Sequence, residues 1–101
     1  MKILLNTSFF FTPTAAEKVK STLRDQWIPA CRSCGESQPV CLKMSSEEGV
    51  ERMAIQTLFE SETEATIFLN DILQPIAADL TRALGANAFT CFSTMMDVIE
   101  L

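Results

Sequence analysis

The chain has 101 residues, the length of one domain, with room for one core and no second. Hydrophobic residues make up 48% and charged residues 21%, an ordinary globular balance that excludes a disordered chain. A net charge of −5, with eight Lys and Arg spread thinly, excludes a nucleic-acid binder or a protein of anionic membrane surfaces, both of which need clustered cations.

Lys2 is followed by only three apolar residues before Asn6, Thr7 and Ser8 interrupt, so no secretory leader is expected. No stretch approaches the roughly 20 apolar residues of a membrane span. The expectation is a cytoplasmic protein that keeps Cys31, Cys34, Cys41 and Cys91 as free thiols.

Lys2 to Phe11 reads as a strand. Ile3, Leu5, Thr7, Phe9 and Phe11 share one face, and Leu4, Asn6, Ser8 and Phe10 the other. The first set is the more apolar and is expected to face the core. Pro13 opens a helix, capped either by Thr12 or by a Thr14/Glu17 capping box. Ala16, Val19, Leu23 and Trp27 form its buried stripe, and Pro29 predicts its end. Ala30 to Gln38 reads as a loop or irregular turn.

Val40, Leu42 and Met44 alternate with Cys41 and Lys43 in a second strand, which Pro39 marks as an edge. Ser45 to Gly49 is a polar hairpin loop. Met53, Ile55, Thr57 and Phe59 alternate with Ala54, Gln56 and Leu58 in a third strand. Ser61 and Glu64 form a capping box, and Ala65, Phe68, Leu69 and Ile72 predict the buried side of a second helix. Pro75 should kink or restart that helix; Ile76, Leu80 and Leu84 continue the stripe to a stop at Gly85. Ala88 to Ile99 is the last strand, with Phe89, Cys91, Ser93 and Met95 on one face and Thr90, Phe92, Thr94 and Met96 on the other. There is no repeat of solenoid type and no low-complexity segment.

Strand, helix, strand, strand, helix, strand predicts a single α+β domain over residues 1–101. The arrangement is a ferredoxin-like βαββαβ sandwich: a four-stranded antiparallel sheet in the order 4-1-3-2, with both helices on one face. The other face then carries Leu4, Asn6, Ser8, Phe10, Gln56, Leu58, Thr90, Phe92, Thr94 and Met96. That set is too apolar for water and reads as an interface between two copies of the chain or as the lining of a ligand site.

At Gln26-Trp27-Ile28-Pro29 and Phe92-Ser93-Thr94-Met95-Met96 the chain resembles a bacterial family, a domain of unknown function. The family's third strand is similar to Ala54-Ile55-Gln56-Thr57, and its last to Ala88-Phe89-Thr90-Cys91-Phe92. The resemblance covers most of the chain and implies a ferredoxin-like fold of the dimeric α+β barrel type, with no assigned activity. The family pattern has a His where Trp27 stands, and this chain has no His. Any imidazole-based role, haem ligation included, therefore does not carry over.

Three constellations compete with the sheet face. Cys31-Arg32-Ser33-Cys34, with Cys41 seven residues on, has thiol spacing that can grip zinc or copper(I). Cys91 is badly placed for a fourth ligand, and incidental loop thiols are the favoured reading; Arg32 is the one group able to lower a thiol pKa. Glu47, Glu48 and Glu51, and Glu60, Glu62 and Glu64, lie in a hairpin and at a helix start, where acidic residues serve structure. Without His, Ser and Cys lack their usual base, and three glycines cannot build a phosphate loop. The sequence thus predicts a homodimeric ligand- or partner-binding domain without cofactor. The alternatives are a cofactor-independent enzyme of the dimeric α+β barrel kind, lined by Asn6, Ser8, Gln56 and Thr94, and a CxxC metal or redox module.

Overall fold

A computed structural model describes residues 1–35 and 38–100. Four strands, β1 (Ile3–Phe11), β2 (Val40–Glu47), β3 (Val50–Phe59) and β4 (Phe89–Asp97), form one antiparallel sheet in the order β2-β3-β1-β4. This is the predicted order read from the opposite edge. The central pairs run in unbroken register, Ile3 opposite Phe59 and Phe11 opposite Glu51 on one side, Ile3 opposite Asp97 and Phe11 opposite Phe89 on the other. The β2–β3 ladder is irregular only between Met44 and Glu47, beside the turn at Gly49.

Each β–β crossover carries one continuous helical rod. The first, residues 13–34, begins with a 3-10 turn at Pro13–Ala15 and continues as α1 (Ala16–Thr22), a π-turn at Leu23–Trp27 and α2 (Ile28–Cys34). The second, residues 62–84, is α3 (Glu62–Phe68), a π-turn at Leu69–Leu73 and α4 (Gln74–Leu84). In each π-turn an N–H reaches five residues back, Ile28 to the Leu23 carbonyl and Gln74 to the Leu69 carbonyl. Pro29 and Pro75 follow directly. In a straight α-helix each ring would strike the carbonyl four residues earlier, and a one-residue expansion there relieves the collision.

Two expectations are corrected by this device. Pro29 does not end the first helix; it sits in the first turn of α2, where its missing N–H costs little. The expected loop over Ala30 to Gln38 is therefore helical through Cys34, and its residues 36–37 lie outside the described residues. The second rod also rotates at its π-turn. Leu73, not Ile72, enters the core, and Ile72 is left 42% exposed. Capping differs between the rods. Ser61 Oγ accepts the Glu64 N–H at 3.2 Å, as predicted, whereas Thr12 makes no such bond and contacts Thr14 Oγ1 instead.

The two rods share a pattern 46 residues apart. Leu23-x-Asp25-x-Trp27-x-Pro29-x-Cys31 in the first matches Leu69-x-Asp71-x-Leu73-x-Pro75-x-Ala77 in the second. Trp27 and Leu73, and Cys31 and Ala77, are buried at corresponding places.

The core lies between rods and sheet. Ile3, Leu5, Phe9, Phe11, Ile55, Phe59 and Phe89 come up from the strands, and Val19, Leu23, Trp27, Phe68, Leu73 and Leu80 come down from the rods. The face chosen from β1 alternation is the one that packs. Trp27 stands edge-on to Phe9, centroids 4.9 Å apart at 84°, the arrangement that sets a positive ring edge against a negative face. Each large side chain so buried contributes on the order of 1.5–3 kcal/mol relative to exposure. No buried side-chain nitrogen or oxygen among the described residues lacks a partner.

Candidate functional site

The strand registers fix what lies on the face turned away from the rods, because residues directly opposite across a ladder share a face. Four rows result. Met96, Leu4 and Leu58 form the first; Thr94, Asn6, Gln56 and Val40 the second. Phe92, Ser8, Ala54 and Leu42 form the third; Thr90, Phe10, Arg52 and Met44 the fourth. All ten residues expected on this face lie on it. Ala54 and Arg52 continue the β3 set of Gln56 and Leu58, and Val40, Leu42 and Met44 join from β2. The alternation of β2 was legible, but its register against β3 was not, and only register says which alternate set faces which side.

This face is apolar and open. Phe92 is 56% exposed, Val40 50%, Leu42 41% and Met96 41%. Phe10 and Phe92 stack, centroids 5.7 Å apart and 17° from parallel. Four strands at about 4.8 Å spacing and nine residues at about 3.4 Å rise give a footprint of roughly 600 Å².

One polar row crosses it. Gln56 Nε2 donates to Asn6 Oδ1 at 3.2 Å, and Asn6 Nδ2 donates to Ser8 Oγ at 3.3 Å. Thr94 lies opposite Asn6 on β4. The chain of bonds fixes how both amides are oriented.

The cysteines are arranged differently from a thiol site. Cys31 is fully buried on α2, while Cys34, one turn on, is exposed. Burial pushes the Cys31 thiol above its ordinary value, more than its hydrogen bond with Thr57 lowers it; Cys34 and Cys41 nearby push it the same way as burial. Arg32 is turned to Gln38, its Nε donating to Oε1 at 2.9 Å. Burial also raises Cys41 and Cys91, which stand on the two edge strands with two strands between them. Thiols held protonated are poor nucleophiles and poor metal ligands. Among the described residues no three His, Cys, Asp or Glu converge on a metal position.

Glu51 Oε1 takes Lys20 Nζ at 3.4 Å, Glu60 lies 4.0 Å from Lys2, and Glu62 and Glu64 sit in the first turn of α3. No described helix is long and apolar enough to cross a membrane.

No family model and no curated protein matches the chain. Solved structures do. A dimeric ferredoxin-like protein from an uncultured marine organism is 16% identical, with a TM-score of 0.62 over 99% of this chain and 98% of that one. Rv0793 from Mycobacterium tuberculosis is 14% identical, with a TM-score of 0.67 over 100% and 98%. SnoaB, a cofactor-independent oxygenase from Streptomyces nogalater, is 13% identical, with a TM-score of 0.66 over 100% and 97%. At these identities the likeness is one of fold, and it extends over whole chains: this protein has the ferredoxin-like α+β fold.

Proposed function

We propose that the chain is a homodimeric ligand- or partner-binding domain, acting in the cytoplasm, whose open sheet face is the contact between two copies. The observation that carries this is the exposure of Phe92, Val40, Leu42 and Met96 together on that face in the single chain. A stable dimer buries about 800 Å² per partner, which a face of this size with its projecting side chains can supply. A dimeric neighbour of the same fold supports the reading. Four unpaired cysteines, one of them buried in the core, fit a reducing compartment.

The test is sedimentation velocity at micromolar concentration on the parent chain and on Phe92→Asp. The parent is expected as a dimer and the variant as a folded monomer, because a carboxylate at the centre of an apolar contact would be buried unpaired. A monomeric parent overturns the proposal.

The hydrogen-bonded chain of Gln56, Asn6 and Ser8 favours a second reading, an enzyme acting without cofactor in the space between the two sheets, with Thr94 completing the lining. The oxygenase neighbour makes this worth testing. Native mass spectrometry of the dimer separates the two. Retained organic mass, lost in Asn6→Leu with Gln56→Leu, supports a site between the sheets. A bare dimer whose stability rises on the same substitution sinks it, since a dry interface gains by losing polar groups.

A further inference from the structure

On the other side of the molecule, where the first rod lies along the β2 edge, there is a groove of about 360 Å³. Its floor is apolar: Leu23 and Ile28 from the rod, Met53 and Ile55 from β3, with Cys41 on β2. Its rim is cationic. Lys20, Arg24 and Arg32 line it from the rod, and Lys43 lies on the same side of β2, opposite Met53. Four of the eight basic side chains of a chain with net charge −5 are gathered here. Two carboxylates answer them: Glu51 on Lys20, and Asp25 on Arg24 at 3.1 Å. Arg32 is held by a neutral amide, Gln38, and leaves the rim with net positive charge.

The second rod has nothing comparable. At the places matching Arg24 and Arg32 it carries Asn70 and Ala78, and its charges are Glu62, Glu64, Asp71 and Asp79 against Arg82. The cationic rim is therefore a property of one side of the fold and not of its shared pattern.

We propose that this groove binds an amphipathic organic carboxylate, its apolar body on Ile28 and Met53 above the buried Leu23 and Ile55, and its carboxylate on Arg24 and Arg32. The volume suits a small molecule, and an apolar floor with a few convergent charges is the usual make-up of such sites. Guanidinium groups meet a carboxylate in a planar, two-point geometry that ammonium groups do not. Bound this way, the ligand answers one of the positive charges that Asp25 and Glu51 leave over.

The test is an isotope-edited NMR titration with octanoate, alongside octanol and acetate, on the parent and on Arg24→Gln with Arg32→Gln. Both side chains are exposed, so the variant keeps the fold, checked by an unchanged spectrum away from the groove. Octanoate is expected to shift Leu23, Ile28, Met53 and Ile55, to bind more tightly than either control, and to lose at least about tenfold in the double variant. Binding should also weaken as NaCl is raised. The proposal is overturned if octanol binds as well as octanoate, if the variant binds unchanged, if no shift appears at millimolar ligand, or if the shifts fall on Phe10 and Phe92. The same titration on Phe92→Asp keeps this site separate from the dimer reading: the groove should bind whether or not the sheets associate.

Discussion

The two helical rods are built on one plan and put to different uses. Both carry a π-turn closed by a leucine carbonyl, both place a proline six residues after that leucine, and both turn one large apolar side chain inward between them. There the likeness stops. The first rod buries Trp27 and Cys31 and presents four cations against two carboxylates. The second buries Leu73 and Ala77 and presents four carboxylates against one cation. The backbone device answers a steric problem, the proline ring, and is the same wherever that problem arises. What covers the device is free to differ, and the groove and the polarity of the molecule lie in that freedom.

The contrast breaks first in the core. Trp27→Ala removes a ring that meets Phe9 edge-on and should cost about 4 kcal/mol, against about 3 kcal/mol for Leu73→Ala, both read from urea denaturation at unchanged slope. Equal losses would mean that the first rod does not anchor the sheet more firmly than the second.

The glycines that end the rods come next, each at about 1–3 kcal/mol for substitution by Ala, for unlike reasons. Gly85 has φ +86°, a region essentially closed to side chains, yet open space lies where its Cβ would be. Gly35 has ordinary dihedrals, but a Cβ there would stand 2.6 Å from Thr57 Cγ2. Thr57→Ser removes that methyl group and should restore part of the loss in Gly35→Ala. It should restore nothing in Gly85→Ala, a difference that thermal melts of the two double variants resolve.

The smallest effect is alkaline. Cys31, at the place Ala77 occupies in the second rod, has its folded pKa raised above the ordinary 9.0 by burial. Its stabilising contribution is complete below pH 9, where the thiol is neutral folded or unfolded. It is lost as pH rises toward the folded pKa, because only the unfolded chain gives up the proton. One such thiol lowers stability by at most about 1.4 kcal/mol per pH unit. Cys31→Ala should flatten that part of the decline between pH 9 and 10, while Cys91 and Cys41, raised the same way, preserve the rest.

Much of this was legible in the residues. Alternation in Ile3 to Phe11 named the buried face of β1, and the Ser61/Glu64 spacing named a cap that forms. The order of elements sufficed for the strand order. The two helix misreadings have one source. Pro29 is a stop signal in a straight helix and an ordinary first-turn residue after a π-turn, and the same expansion moved the core position from Ile72 to Leu73. The period that sequence reasoning uses is 3.6 throughout, and a π-turn changes it for one turn without changing composition.

Local pattern, then, determined the strands, the two crossovers and the apolar character of both sheet faces, because side-chain period and turn chemistry act over a few residues. Tertiary structure alone decided which residues stand opposite one another. Val40, Leu42 and Met44 join the open face only through the register of β2 on β3. Gln56 reaches Asn6 across 50 residues of chain, and Lys20 and Arg32 share a groove with Cys41 only because the first rod lies along that edge. Those placements depend on pairing and packing between distant segments, and no short stretch of sequence contains them.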